Sequence, residues 1–431
     1  MRMTTKRFMA FGLGLALIGA SAVLAAVALP QTAAAQGKEV VILEASDLTG
    51  PFAPSGRPKT DGARAYVRYV NEKLGGIDGV KIKHIVVDTS YVVDREVAAY
   101  KRARDVENAL FFVSINSSSI ATIAPIAAED GMPFGSHNAE PIATFRPGTW
   151  FFPAIPLWLE GGAAAFDWWM KTGWKKSEPP KVAMVLMDAH PGKTASRLYG
   201  AQFKKRGIPI AFELFTPLVA PDMKGVVLQM RNSQADIVIS HTTDVNWTTM
   251  AKEMARQGVD IPKLAPYFGP IGQDVIKAMG DAGVGLMSFL PYAVWDDATV
   301  PGIQKIRGLY KEWYGADRVE DRQHFYWGWV GMCQVAESIK RTMAKTGYDG
   351  LTKDIKAGRK ALKTVMENDM RGFTCDGITP PLKWSPTDHR PFDMVKVARI
   401  EKGPVLKAVS DWVPIPPLTD EQRTVEWWTG K

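Results

Sequence analysis

The segment at residues 190–194, His-Pro-Gly-Lys-Thr, ends like the phosphate-binding loop of nucleotide-hydrolysing enzymes. That loop needs a further glycine five residues before Gly192, because the backbone N–H groups of a glycine-rich loop surround the phosphates. Met187 stands at that position. The sequence therefore predicts no phosphate loop here, and the segment is interpreted as the turn between a strand and a helix.

Other residues that serve in catalysis lack the context that their chemistry requires. Ser136 and His137 are adjacent, but a nucleophile and its base are brought together in space and not by neighbouring positions in the chain. Asp296 and Asp297 are interpreted as a solvated turn. No Gly-x-Ser-x-Gly turn is present, and the histidines have no metal-binding spacing. The sequence therefore predicts no enzyme activity, metal or cofactor.

An anion site is better supported, at residues 116–119, Asn-Ser-Ser-Ser. These residues stand where a strand ends and a helix begins, which is where open α/β sheets bind ligands. Serine hydroxyls and the N–H groups of a helix N-terminus suit a carboxylate. A helix cap without a ligand is the alternative, and the sequence leaves both open.

The elements that would position these residues alternate between strand and helix. Short apolar runs predict strands at residues 40–45, 82–87, 109–115, 182–187, 208–214, 236–240 and near 264. Amphipathic runs predict helices at 59–74, 94–108 (with Asp94 as the N-cap), 118–129, 193–206, 222–232 and 246–257. The alternation predicts parallel sheets covered by helices, and its restart after the segment 150–159, rich in Pro and Trp, predicts two lobes.

The last third of the chain has a different pattern. It predicts helices at residues 303–313, 323–344 and 351–367, and strands at 382–384 and 393–400. Residues 412–431, rich in Pro, Trp and charge, predict a tail that is either ordered on the surface or partly disordered. Cys333 and Cys375 are the two cysteines of the chain. They could pair in an oxidising compartment or remain separate buried thiols, and the sequence leaves this open.

The N-terminus indicates the compartment. Arg2, Lys6 and Arg7 precede an apolar run that ends in small residues at 33–35, the pattern of a secretory signal. We expect cleavage after residue 35, with an uncleaved membrane anchor as the alternative. The formal net charge is +8, without a block of consecutive basic residues, so nucleic-acid binding is not predicted.

Several short motifs follow one another at regular spacing. They are residues 48–56 (LTGPFAPSG), 61–64 (DGAR), 70–77 (VNEKLGGI), 88–90 (DTS), 117–119 (SSS), 131–139 (GMPFGSHNA) and 235–238 (ADIV). In this order they resemble the periplasmic solute-binding proteins of ABC importers, in the branch of the leucine/isoleucine/valine-binding proteins. The resemblance covers about residues 40 to 384.

This resemblance implies the type I periplasmic-binding fold, an α/β fold of two Rossmann-like lobes with parallel sheets joined by a three-strand hinge. It implies a first lobe at residues 36–155 and 292–378, and a second at 156–291 and 379–431. A small-molecule ligand would bind in the cleft as the lobes close. The resemblance also implies a periplasmic monomer that delivers its ligand to permease subunits in the inner membrane.

The family's ligand contacts can be carried over onto matching positions of this chain. These positions are Ser55, Ser117, Ser118, Asn138, Ala139, His190, His241, Thr242 and Asp244, and Tyr267 and Phe325 are expected to add aromatic walls. Amino-acid binders also place a carboxylate near residue 268, against the ligand's ammonium group, and this chain has none there. A buried ammonium without a partner costs on the order of several kcal/mol. We therefore expect a small organic acid, aromatic or aliphatic, unless Asp244 replaces the missing carboxylate.

Two other functions remain as alternatives. The same fold could hand its ligand signal to a receptor or regulator instead of a permease. A secreted enzyme is the third possibility, although no catalytic motif supports it.

Overall fold

A computed structural model describes residues 37–136, 139–267, 269–315 and 322–430. The predicted signal at residues 1–35 lies outside the described residues. Within them, no helix is long and apolar enough to cross a membrane.

The first lobe contains a parallel sheet built from short apolar strands. Its elements in chain order are β1 (Glu39–Ser46), α1 (Ala53–Arg68), β2 (Lys81–Asp88), α2 (Val93–Asp105), β3 (Phe111–Ser114), α3 (Ser117–Asp130), β4 (Phe134–Ser136), α4 (Pro141–Thr144) and β5 (Phe151–Pro153). The strand order in the described chain is β2-β1-β3-β4-β5, with every pairing parallel. All five strands therefore end at the same edge of the sheet.

The second lobe repeats the alternation. Its first elements are α5 (Trp158–Thr172), β6 (Val182–Met187), α6 (His190–Arg206), β7 (Ile210–Thr216), α7 (Lys224–Asn232), β8 (Ile237–His241), α8 (Asp244–Arg256), β9 (Lys263–Leu264), α9 (Gln273–Met279) and β10 (Leu286–Leu290). The rest of the chain adds α10 (Pro301–Tyr314), α11 (Arg322–Thr352, with a break at Gly347), α12 (Ile355–Asn368), β11 (Met394–Glu401), β12 (Val405–Ala408), β13 (Val413–Pro414) and α13 (Val425–Thr429).

The second sheet is mixed, with parallel strands in its central part and antiparallel strands added at one edge. Its order in the described chain is β12-β11-β10-β9-β8-β6-β7, and β13 pairs with β11. The strands β6 to β10 are parallel, whereas β11, β12 and β13 add antiparallel pairings. The α/β fold with two lobes is confirmed.

The helices α10 to α12 pack on the first lobe. Gly328 in α11 lies against α1 so closely that a Cβ atom there would be 1.7 Å from the carbonyl oxygen of Lys59, and only glycine permits this approach. In α12, the buried guanidinium of Arg359 donates a hydrogen bond to the carbonyl of Ala109, just before β3 (2.9 Å). These contacts hold α11 and α12, which are distant in sequence, against the first lobe.

The chain passes between the lobes three times within its described part, after β5, after β10 and after α12. The second and third passages are hydrogen bonded, since the N–H of Ala293 donates to the carbonyl of Ile378 (2.7 Å). Cys333 in α11 and Cys375 beside the third passage form a disulfide, with Cα atoms 6.2 Å apart. The pairing that the sequence left open is thus present.

Three local predictions need correction. Helix α1 begins at Ala53, six positions before its predicted start at Lys59, because Pro54 suits the first turn of a helix. Val92, not Asp94, precedes α2. Residues 382–384 form no strand. Instead Trp384 packs against Phe152 of β5.

The segment after residue 378 contacts both lobes. His389 stacks on Phe152 of the first lobe (centroids 4.1 Å apart), whereas β11 and β12 extend the second sheet. The lobe boundaries at residues 155, 291 and 378 remain predictions.

Candidate functional site

A cavity lies between the two lobes at the carboxyl ends of their strands. It encloses about 460 Å³ of space between atoms, part of it open to solvent. The residues that line it are Phe52, Ser55, Tyr91, Ile115, Ser117, Trp158, Met187, Pro191, His241, Tyr267, Gly269 and Trp327. Both sheets contribute strand ends, which is the position at which open α/β sheets bind ligands.

Aromatic rings form most of the cavity wall. Phe52 and Tyr91 of the first lobe meet at 4.5 Å between ring centroids, with their planes 45° apart. Trp158 packs edge to face against Trp327 (5.8 Å) and against Tyr267 (6.2 Å). Rings in such contacts hold one another in place. The cavity therefore offers rigid apolar faces to a ligand.

Tyr91 is held by an unusual backbone. Ser90 and Tyr91 both have positive φ angles, 51° and 61°, a conformation that costs energy in residues other than glycine. Burial, and then the charge of Glu96, raise the pKa of the Tyr91 hydroxyl, so it stays protonated at neutral pH. The strained backbone at Ser90 and Tyr91 therefore occurs where the Tyr91 ring lines the cavity.

A hydrogen bond crosses the cleft beside the cavity. Ser55 in α1 of the first lobe donates its hydroxyl to Oδ2 of Asp244, the first residue of α8 in the second lobe (2.5 Å). Tyr267 donates to the other carboxylate oxygen (3.3 Å). Asp244 is buried, and the N-terminus of α8 favours its negative charge. Gly269 permits this placement, because a Cβ atom there would lie 2.3 Å from Oδ1 of Asp244.

A second pair joins the lobes. Nε2 of His190, at the start of α6, lies 2.8 Å from Oε1 of Glu140, the buried N-cap of α4. Burial acts to lower the pKa of His190, but the negative charge and hydrogen bond of Glu140 raise it above its ordinary value. We therefore expect the strength of this contact between the lobes to depend on pH.

His241 gives the cavity a neutral polar group. The side chain lies at the end of β8, and burial lowers its pKa to about 3. Its Nδ1 atom is buried and has no hydrogen-bond partner within the described chain. A neutral imidazole in this position can donate or accept a hydrogen bond from a ligand, according to its tautomer.

Side chains of the protein itself already bind some of the hydrogen-bond donors of the serine turn at the start of α3. The Asn116 side chain accepts hydrogen bonds from the backbone N–H groups of Ser118 (2.9 Å) and Ser119 (3.4 Å). The buried Glu96 carboxylate accepts from the N–H of Ile115 (3.1 Å) and from the Ser114 hydroxyl. The helix N-terminus therefore offers less to an anion than the sequence suggested, and Ser117 is the serine that reaches the cavity.

The structure brings some of the predicted site residues together. Ser55, Ser117, His241 and Tyr267 line the cavity. Asp244 is bonded to two of them.

The other predicted residues lie elsewhere. The carbonyl of Thr242 accepts from the Tyr267 hydroxyl, and His190 pairs with Glu140 beyond the cavity wall. Ala139 is buried and Ser118 is half-buried, but neither lines the cavity. Asn138 lies outside the described residues. Phe325 packs against Tyr310 (5.1 Å) and Trp329 (6.4 Å) in the helical core.

Several wall residues were not predicted from the sequence, among them Phe52, Tyr91, Trp158 and Trp327. Trp327 lies within the predicted helix at residues 323–344. Tyr91 follows directly after the motif at residues 88–90, and Trp158 ends the segment rich in Pro and Trp, so position after a strand was the available signal.

Comparisons with known proteins agree with this geometry. A family model described as "Periplasmic binding protein" matches residues 40–404. A relative from Brucella melitensis, named "Leu/Ile/Val-binding protein homolog 7", is 23% identical over 338 residues, covering 73% of this chain and 81% of the relative.

Solved structures share the fold. A branched-chain amino acid ABC transporter protein from Thermus thermophilus with bound valine superposes with a TM-score of 0.76 at 15% identity, covering 87% of this chain and 96% of that one. A solute-binding protein from R. palustris in complex with 4-hydroxybenzoate superposes with a TM-score of 0.70 at 17% identity, covering 88% and 98%.

Proposed function

The chain belongs to the periplasmic binding protein family, and on this premise we propose that it is the extracytoplasmic solute-binding component of an ABC importer. It captures a small organic ligand with a carboxylate group between its lobes. The closed form then delivers the ligand to permease subunits in the membrane. A location in the periplasm follows from the predicted signal at residues 1–35.

The observation that carries this proposal is the hydrogen bond between Ser55 and Asp244 at the cavity wall. It joins the two lobes at the place where a ligand would touch both. A ligand that contacts both walls binds the closed form better than the open one, and this difference in affinity drives closure.

The cavity chemistry supports a ligand with a flat or compact apolar body. Its walls include five aromatic rings, and its polar groups include the hydroxyl of Ser117 and the neutral imidazole of His241. These groups suit a carboxylate bound by neutral hydrogen-bond donors. The related structures bind valine and 4-hydroxybenzoate, and both molecules have a carboxylate and an apolar body of this kind.

Asp244 decides between these two classes of ligand. An amino acid would place its ammonium against this buried carboxylate. An aromatic acid would not contact Asp244, which would keep its hydrogen bonds with Ser55 and Tyr267. The sequence argued against an amino acid because no carboxylate stands near residue 268. The position of Asp244 restores that possibility.

Thermal unfolding with a panel of ligands tests the proposal. We expect one compound among valine, leucine, 4-hydroxybenzoate and aliphatic carboxylates to stabilise the protein, by about 2.7 kcal/mol at 100 times its Kd. A panel without any stabilising carboxylate would contradict the proposed ligand class.

The variant Asp244→Asn then separates the two classes. Asparagine still accepts the hydrogen bond from Ser55 but lacks the negative charge. We expect an amino-acid ligand to lose about 3–5 kcal/mol of binding free energy, because its ammonium would be buried without a partner. An aromatic acid should bind the variant as well as it binds the wild type, or better. Isothermal titration measures both.

A further inference from the structure

The C-terminal segment at residues 412–430 contacts both lobes and is called the C-terminal strap here. It begins on the second sheet, where Val413 of β13 pairs with Val395 of β11. It ends in α13, which lies against α4 of the first lobe. The family-model match ends at residue 404, so the strap lies beyond the part of the chain that the match covers.

Trp428 fixes the strap to the first lobe. Its side chain is buried, and its indole N–H donates to the carbonyl of Gln422 (2.7 Å). Its ring stacks on Phe145, with planes 9° apart and centroids at 6.4 Å. Phe145 is the residue at the end of α4. The strap therefore ends on an element of the first lobe.

Two contacts hold the same region to the second lobe. Arg197 in α6 donates to the carbonyl of Trp427 (2.8 Å). Arg390 lies over the Phe145 ring (5.7 Å) and donates to the buried Glu160 in α5 (2.6 Å). Phe145 is thus contacted by Trp428, whose neighbour Trp427 is hydrogen bonded to α6 of the second lobe. It is also contacted by Arg390, which is bonded to α5 of the second lobe.

The strap joins the same two helices as the His190–Glu140 pair. Glu140 is the N-cap of α4, and His190 is the first residue of α6. If α4 and α6 moved apart, Trp428 would have to leave Phe145 or Trp427 would have to leave Arg197. Opening at this edge of the cleft therefore breaks an aromatic contact or a hydrogen bond in addition to the pair itself.

We propose that the C-terminal strap holds α4 against α6 and shifts the ligand-free protein toward the closed form, with Trp428 as its positioning residue. The inference rests on the proposed function, because closure matters only for a protein that binds between its lobes. A ligand then finds the cavity partly assembled, and less of its binding free energy is needed to close the lobes.

Hydrogen exchange of the ligand-free protein tests this role. We compare Trp428→Ala with Glu426→Ala, an exposed position on the same helix. We expect the amides of residues 142–145 and 192–197 to exchange about tenfold faster in Trp428→Ala, equivalent to about 1.4 kcal/mol, the upper range for an aromatic pair. Small-angle scattering should give a larger radius of gyration for this variant. Glu426→Ala should match the wild type in both measurements.

A second variant guards against a simple folding defect. Phe145→Leu removes the stacking partner on the first lobe but leaves the strap's contacts with the second lobe, so it should open the cleft in the same way. Unchanged exchange and radius of gyration in both folded variants would overturn the proposal. These measurements use no ligand, so they stand even if no carboxylate in the panel binds.

Discussion

The hinge side and the cleft side of this molecule join the same two lobes by different chemistry. On the hinge side the links are the three passages of the polypeptide, two of which are joined by the backbone hydrogen bond from Ala293 to Ile378, and the disulfide of the first lobe lies beside them. On the cleft side, the described contacts Ser55–Asp244 and Glu140–His190 are between side chains, and in the second pair Glu140 raises the pKa of His190 above its ordinary value. The hinge side therefore keeps the two lobes connected at all times, whereas the side-chain contacts on the cleft side can break when the lobes move apart.

The first test of this comparison removes the disulfide on the hinge side. In the double variant Cys333→Ala and Cys375→Ala, we expect unfolding free energy to fall by about 4 kcal/mol, the loop-closure value for a loop of 42 residues. Chemical denaturation measures the change. The affinity for a ligand should stay within about threefold of the wild type, because neither cysteine lines the cavity.

The division of roles between the hinge side and the cleft side would be wrong if the double variant bound ligand much more weakly while it remained folded. The disulfide would then control closure as well as stability. Wild-type protein treated with a reductant provides the matched control, since it should show the same loss of stability without any substitution.

The second test concerns the serine turn on the cleft side. We expect Ser117→Ala to weaken carboxylate binding by about 1–3 kcal/mol, since this serine lines the cavity and its hydroxyl would bond to the carboxylate. Ser118→Ala should change the binding free energy by less than about 0.5 kcal/mol, because this residue does not line the cavity and Asn116 already holds its N–H group. Calorimetric titration of both variants with the ligand found by thermal unfolding provides the measurement. Equal losses in the two variants would contradict the assignment of Ser117.

The serine turn also indicates how far the sequence can predict such a site. A strand end followed by serines is a local pattern, and the structure places one of these serines, Ser117, in the cavity wall. Which serine faces the cavity depends on the Asn116 side chain, which can cap the helix or leave its N–H groups to a ligand. Both arrangements have the same sequence, so only the folded geometry could distinguish them.

The aromatic wall was harder to predict for a related reason. Most strands and helices were predicted because apolar periodicity is local, but a wall is made where two lobes face each other. Trp327 follows the apolar pattern of a buried helix whether its neighbour is protein or ligand. In the same way, residues 382–384 are apolar enough for a strand, yet they form none, and Trp384 packs its ring edge to face against Phe152. Long-range packing decided each case.

The smallest expected effect is the pH dependence of the His190–Glu140 pair. Closing the lobes brings His190 to Glu140 and raises the histidine pKa above its ordinary value of 6.5. A raised pKa in the closed form means that closure takes up protons. The contribution of the pair is therefore complete below about pH 6.5 and is lost as the pH rises through the raised pKa.

We expect the affinity for a ligand to fall by about twofold to fivefold across that range, the size of a partly exposed ion pair. The variant His190→Gln should lose this pH dependence, since glutamine can still bond to Glu140 but cannot take up a proton. Titrations at several pH values, with a ligand whose own groups do not titrate there, provide the measurement. A wild-type affinity that is flat with pH would mean that the pair is already formed in the open protein, and that the cleft side opens elsewhere than between α4 and α6.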